Sequence, residues 1–411
     1  MPYVGANLKL SGALTAARQG VDARLLFGRG RRGGLQERKR SGMNDRIRLH
    51  VPRKAALAVC AALTLVLGAL FAAPGAAAQT PAAVSPAAAP AAAAAQLPCD
   101  VYQADGTPCV GAYSTVRALY AAYDGPLYEL TRSSDDTTLT VAPLKAGGVA
   151  NAAQQQQFCT GTSCVISVVY DQSPQHNNLT IEGPGAAGGQ DVGAAADALP
   201  VTVAGHHVYG IDITPGTGYR DNAATGVAEN GEAETMYEVT SSTGVNGQCC
   251  MDFGNTEKTN TDDGNGHMDA VSYSTRCARF SPCYGSGPWV QADLENGLFQ
   301  SNMGYSENTL NTGLNLPFVT ALLKNNGQNY FALKVGNAQS GSLTTDYAGL
   351  LPTIQGGGYS PMQQEGGIVL GTGGDDSNAG SGYFYEGVIT SGLSTDTADE
   401  AVQASIVAAG Y

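Results

Sequence analysis

Beyond residue 97 the chain reads as short apolar runs broken by clusters of Gly, Asn and Asp. Segments 165–170, 318–323, 330–335 and 367–370 are rich in Val, Ile, Leu, Phe and Tyr and short enough to be strands between turns. Further on, Val290, Ala292 and Leu294 alternate with Gln291, Asp293 and Glu295, which places both acids on one face of an extended strand. Two segments carry helical spacing instead. In 115–123, Val116, Leu119, Tyr120 and Tyr123 share a face, and 396–409, with Ala401, Ile406 and Val407, reads as the second helix. Many short strands, few short helices and no internal repeat predict an all-β protein: a β-sandwich of jelly-roll or concanavalin-like form, with a concave sheet able to hold a ligand.

The first hundred residues follow a different pattern. Arg46, Arg48, Arg53 and Lys54 precede an apolar stretch, 55–73, and Ala76-Ala77-Ala78 supplies the small residues of a signal-peptidase site. Met43 is therefore expected to be the start, with 43–78 a signal peptide and 1–42 a non-native or disordered extension. A membrane anchor is the competing reading of the apolar stretch, which is about as long as the shortest spans. Cleavage is preferred because Pro74 and the alanines follow at once. Segment 79–96, nearly all Ala and Pro, reads as a linker with nothing to bury, which leaves 97–411 as the folded domain.

Charge sharpens the division. The formal net charge of −13 combines a basic leader with an acidic body, because 13 of the 22 Lys and Arg and only 3 of the 35 Asp and Glu lie in 1–78. Residues 79–411 thus hold 9 basic against 32 acidic groups, a balance that repels nucleic acid and anionic lipid and suits a neutral polysaccharide or simple solubility. Cys60 sits in the apolar leader. The other eight cysteines fall as close pairs, 99/109, 159/164, 249/250 and 277/283, and an even count in short loops argues for disulfides and an oxidising compartment. A metal site is the alternative, but no pair has a partner at Cys-x-x-Cys spacing and His is scarce, so neither metal nor cofactor is expected. Asp262-Asp263-Gly264-Asn265-Gly266 fails the EF-hand order and reads as a solvated turn, with His267 a structural hydrogen-bonding group. His206 and His207 follow Ala204-Gly205 in an exposed hairpin-like segment. There is no Gly-x-Ser-x-Gly elbow, phosphate loop or dinucleotide fingerprint.

Candidate chemistry lies in two acidic turns, 287–297 and 371–378, each placing carboxylates after an apolar run. Glycoside cleavage needs two carboxyl groups facing each other across a sugar, and these turns could supply them. Acids beside Gly and Asn are equally the mark of solvated hairpins. The ordered blocks Cys249-Cys250-Met251-Asp252-Phe253-Gly254-Asn255, Gly266-His267-Met268-Asp269-Ala270, Gly287-Pro288-Trp289 with Asp293-Leu294-Glu295-Asn296, and Gly373-Gly374-Asp375 carry more weight. Together with Pro98-Cys99-Asp100-Val101-Tyr102 and Tyr170-Asp171-Gln172-Ser173, they resemble the catalytic domain of family 54 glycoside hydrolases, which are α-L-arabinofuranosidases.

The resemblance implies roles residue by residue. Glu295 stands where the family has its nucleophile, and Asp375 where it has its general acid/base. Asp293, Asn296 and the backbone at Gly374 match sugar contacts, and Cys249 and Cys250 match a disulfide between sequence neighbours that packs on the sugar. It also covers the pairs Cys99–Cys109 and Cys159–Cys164, while Cys277–Cys283 rests on spacing alone. One departure concerns the wall of the sugar site: family members carry a tryptophan within the stretch matching 270–286, where this chain has none, leaving Phe280 or Tyr284 to fill the place. The implied protein is a secreted, retaining, monomeric α-L-arabinofuranosidase acting on arabinose-containing plant polysaccharides and oligosaccharides, with no nucleic-acid partner and no membrane attachment after signal cleavage. The β-trefoil that commonly follows in this family is expected to be missing, since the sequence stops at Tyr411. A sandwich glycosidase acting on xylose or galactofuranose, and a non-catalytic carbohydrate-binding module, are the alternatives.

Overall fold

The computed structural model describes residues 96–277, 282–302, 306–353 and 359–411. The expected extension, signal peptide and nearly all of the linker lie outside the described residues. Three antiparallel sheets form the body. One has six strands in the spatial order Cys109–Ser114, Glu386–Ser391, Glu234–Thr240, Val319–Asn325, Tyr330–Asn337 and Ser340–Leu350. Another has ten, in the order Leu298–Phe299, Trp289–Asp293, Asp269–Ser274, Asp252–Thr256, Gly367–Leu370, Tyr219–Asp221, Leu179–Ile181, Cys164–Val169, Tyr128–Arg132 and Thr138–Val141. Gly382–Phe384, His206–Ile213 and Leu199–Val203 make the third.

The apolar runs at 165–170, 318–323, 330–335 and 367–370 are strands. Strand Val319–Asn325 is buried at every position and pairs in continuous register with both Glu234–Thr240 and Tyr330–Asn337. A strand covered on both faces and hydrogen-bonded on both edges reads as an unbroken apolar run, as 318–323 does. Aromatic rings fill the space between sheets: Phe253 meets Tyr113 edge-on at 6.0 Å and Phe384 at 5.4 Å.

The helix expected over 396–409 is present as Asp396–Ala409, started by Thr395, whose hydroxyl accepts the Ala398 N–H, and ended by Gly410 in the left-handed conformation. Segment 115–123 is not a helix. Its N–H groups are taken by distant partners instead: Ala118 donates to the Gly148 carbonyl, Leu119 to Gln172 Oε1 and Ala121 to Asp100 Oδ2. Arg117, buried, forms a two-pronged ion pair with Glu386 at 2.5 and 2.6 Å. Those tertiary bonds outcompete the i to i−4 ladder while keeping Val116 and Leu119 in the core. Two short helices, Pro98–Asp105 and Ala152–Phe158, carry too little periodicity to be seen in advance.

All four close cysteine pairs are bonded: Cys99–Cys109, Cys159–Cys164, Cys249–Cys250 and Cys277–Cys283. Ala204 and Gly205 take positive φ and turn the chain back, with exposed His206 and His207 opening the next strand.

Candidate active site

The two acidic turns meet in one cavity of about 420 Å³. Its lining includes Glu257, Asp262, Asp293, Glu295, Asn296, Gly374, Asp375 and the Cys249–Cys250 pair. A larger cavity of about 750 Å³ lies elsewhere, walled by Leu97, Val101, Val149, Val203 and alanines of the C-terminal helix. It offers no carboxylate, so size does not mark the chemistry.

Glu295 is not on a strand face with Asp293. The strand Trp289–Asp293 ends at Asp293, and Glu295 sits in the following turn with φ of +67°. Asp293 Oδ1 accepts the Glu295 N–H at 3.0 Å, a local bond that competes with continuing the ladder and turns the chain. The Glu295 carboxylate then meets the turn 262–267, which is solvated at Asp262, Asp263 and Asn265 as expected but turns its N–H groups inward. Oε1 accepts N–H groups of Asp263, at 2.7 Å, and of Gly264, while Oε2 accepts those of Gly266 and of His267, at 2.8 Å. Consecutive backbone donors closing on one acidic group form an anion-holding nest. His267 Nδ1 lies 3.3 Å from Asp263 and 3.4 Å from Glu365.

Asp293 is 7% exposed and faces the fully buried Asp252. Burial, first of all, pushes both carboxyls up, Asp293 to about 6, and the negative charge on Asp293 raises Asp252 further, so the pair titrates as a unit. Much of Asp293 is thus occupied in holding the Glu295 turn. Asn296 lines the cavity and donates through Nδ2 to the Gly264 carbonyl, so it too braces the nest.

On the other side, Asp375 Oδ1 accepts the Ser377 N–H at 3.1 Å and the Ser377 hydroxyl at 2.5 Å. Its Oδ2 has no protein donor among the described residues. Gly374 gives its carbonyl to Arg220 Nη1 at 2.9 Å, and a Cβ at this position would run into the Glu257 carboxylate. Only glycine allows that approach. Cys250 is fastened behind Asp375 by its N–H to the Ser377 carbonyl, 2.8 Å, while the Cys249 carbonyl accepts from Ala379. The vicinal pair is therefore part of the cavity wall and of the Asp375 loop at once.

Sequence reading missed Glu257, which is 1% exposed and lines the cavity two residues beyond the block ending at Asn255. Its Oε2 accepts the Thr256 hydroxyl at 2.6 Å and Oε1 has no partner among the described residues. Burial, with added repulsion from Glu295, pushes this carboxyl up to about 7. Nothing in local spacing signals it, since Glu257 reads as the polar end of a strand. Where the tryptophan is lacking, the wall carries Arg276 and Cys277. Tyr284 is 43% exposed and does not line the cavity, its carbonyl accepting the Trp289 Nε1–H at 2.8 Å. Phe280 lies outside the described residues.

Residues 98–411 match the family model described as "Alpha-L-arabinofuranosidase B, catalytic". An alpha-L-arabinofuranosidase B of Emericella nidulans is 50% identical over 319 residues, covering 76% of this chain and 62% of the relative. A protein of Trichoderma koningii named arabinofuranosidase/B-xylosidase is 49% identical over 320 residues, covering 76% and 63%. A crystal structure of an arabinofuranosidase complexed with arabinofuranosyl-alpha-1,2-xylobiose superposes with a TM-score of 0.74 at 46% identity, over 77% of this chain and 66% of that one. The chain thus spans somewhat under two thirds of the length of each of these relatives.

Proposed function

Because the chain belongs to the α-L-arabinofuranosidase B catalytic family, we propose that it is a retaining glycosidase removing terminal α-L-arabinofuranosyl groups from arabinose-bearing polysaccharides or oligosaccharides. The observation that carries the reading is the convergence of Glu295 and Asp375, from turns eighty residues apart, on one cavity walled by Cys249–Cys250.

Glu295 attacks the anomeric carbon to form an arabinosyl-enzyme, while Asp375 protonates the departing oxygen and later takes a proton from water. Four N–H groups on Glu295 match the roughly four lone-pair positions of a carboxylate. They fix its orientation, and attack requires one of them to lengthen as the carbon–oxygen bond forms. The free Asp375 Oδ2 suits a group that donates a proton into the cavity. Asn296, the Gly374 backbone and the Cys249–Cys250 face are the proposed sugar contacts, with Asp293 a contact through whatever reach its turn-holding role leaves. Basic leader, apolar stretch, Ala-Ala-Ala and four disulfides support export of the mature chain.

A panel of nitrophenyl glycosides against purified protein tests the assignment. Release from the α-L-arabinofuranoside should dominate, and proton NMR should show the anomer of retained configuration first. The opposite anomer would refute Glu295 as nucleophile. Given the name of the Trichoderma relative, the second reading is xylose-directed activity; dominant cleavage of the β-xyloside would replace the arabinose assignment.

A further inference from the structure

Behind the Asp375 loop, three acidic residues from two separate stretches of the chain converge out of solvent. Glu182, Asp191 and Asp376 are 1%, 4% and 0% exposed, and one oxygen from each lies within 4.8 Å of one from each of the others. Their protein partners are few. Glu182 Oε1 accepts from Arg220 Nη1 at 3.0 Å and Asn260 Nδ2 at 3.1 Å. Asp191 Oδ1 accepts from Asn378 Nδ2 at 2.6 Å; Asp376 Oδ1 accepts from the same amide at 3.3 Å, and its Oδ2 from the Gly185 N–H at 3.2 Å. Glu182 Oε2 and Asp191 Oδ2 are buried with no hydrogen-bond partner among the described residues. Two such oxygens, in side chains more than nine-tenths buried and belonging to one cluster, are costly unless something charged or protic sits between them.

Three carboxylates against the single Arg220 guanidinium leave a charge of about −2, which a divalent cation would neutralise. The donors are all oxygen, with no His or Cys among them, which selects a hard ion over zinc. They come from separate segments at irregular spacing, and an ion taking six to eight oxygens in flexible geometry accommodates that better than one demanding a near-ideal octahedron. Glu182 also lines an open surface cavity of about 510 Å³, which gives an ion a way in.

We propose that Glu182, Asp191 and Asp376 form a calcium site that ties the 182–191 segment to the loop carrying Asp375. Spacing could not have pointed to it, because the three residues are nine and 185 positions apart in sequence. Without the ion, burial, with repulsion from Asp376 and Asp191, pushes the Glu182 carboxyl up to about 8. Shared protons are therefore the competing way of settling the cluster.

Calorimetric titration of chelator-treated full-length protein with calcium chloride decides between them. One ion per chain is expected, with a Tm that rises as calcium is added. Asp191→Asn and Glu182→Gln, checked for folding by circular dichroism, should each weaken binding at least about tenfold. Glu257→Gln, in the acidic group beside Glu295, should leave it intact. Absence of heat and of any Tm shift at millimolar calcium overturns the proposal, as does loss of binding in Glu257→Gln with retention in Asp191→Asn. Because the readouts are binding and melting, the site stands or falls independently of the proposed glycosidase activity.

Discussion

At the scale of single residues, the site separates two carboxyl groups by what each accepts. Glu295 is held by four backbone N–H groups, whereas Asp375 is held on one oxygen only. Glu295→Gln should reduce turnover by at least about 10³-fold on every glycoside, since the amide cannot attack. It also turns an NH₂ toward two backbone donors, so the Tm should fall, with a cost of about 1–3 kcal/mol for the orphaned N–H groups. Asp375→Asn disturbs fewer bonds and should melt close to wild type. Its loss should be about 10²–10⁴-fold for natural leaving groups and much smaller for the first step with an activated aryl glycoside. Azide, needing no base, should restore turnover of the aryl substrate and yield an arabinosyl azide of retained configuration. Failure of azide in Asp375→Asn, with rescue in Glu295→Gln, would exchange the two roles.

At the scale of elements, the C-terminal helix and the 262–267 turn show how buried charge and backbone geometry position parts that hydrophobicity alone would leave loose. Lys324 and Lys334, on neighbouring strands and 2% and 4% exposed, both donate to Asp399 Oδ2 at 2.7 Å and to Asp396 Oδ1 at 2.7 and 2.6 Å. Asp399→Asn would leave two lysines with the exposed Asp396 as their one anionic partner among the described residues, Lys324 keeping the Ser394 carbonyl besides. A loss of about 3–5 kcal/mol is expected, read as a lower midpoint in urea with the m-value unchanged. In the turn, Gly266 has φ of +82°, and a Cβ there would sit against the Ser360 carbonyl and 2.8 Å from Pro361 Cα. Gly266→Ala should therefore displace the N–H that reaches Glu295 and lower kcat at least about tenfold, with a smaller effect on KM. Unchanged kcat would mean that the nest is dispensable. These elements also mark what could be read in advance. The strands at 319–325 and 330–337 were legible because local pattern and final environment agree, and the 396–409 helix was legible in its extent, with Ile406 on its buried side and Ala401 exposed. Segment 115–123 misled because its apolar spacing serves the core while its N–H groups bond far away. The Glu295 nest was illegible for a related reason: its donors are backbone groups of Asp263, Gly264, Gly266 and His267, which side-chain identities do not advertise.

At the scale of the whole molecule, the acidity that suits a neutral substrate carries an internal consequence. Besides its acidic surface, the fold buries carboxyl groups that make no ion pair among the described residues. Asp346 is the plainest case: it is 4% exposed, and burial alone pushes it up to about 7. Glu257 is also pushed up to about 7, and Glu234, Glu238 and Asp252 are raised well above the usual range, burial being the largest cause in each. The sign of the effect follows from proton counts. Between the unfolded value, near 4, and the folded value, near 7, the native state holds a proton that the unfolded chain has lost, so stability falls as pH rises through that window and is flat for this group on either side. Few groups oppose it, Asp396 being lowered to about 2 by Lys324 and Lys334, with an effect confined to strongly acidic solution. Melting temperature should therefore be highest near pH 4–5 and decline toward pH 8. Asp346→Asn gives the separable test, because its carboxyl is away from both the 420 Å³ cavity and the proposed calcium cluster. The amide stays neutral at every pH, so the variant should lose on the order of 3 kcal/mol less than wild type between pH 4 and pH 8. Parallel curves for the two proteins would show that Asp346 reaches water or a cation in solution, and that the pH dependence belongs to the active-site carboxyls instead.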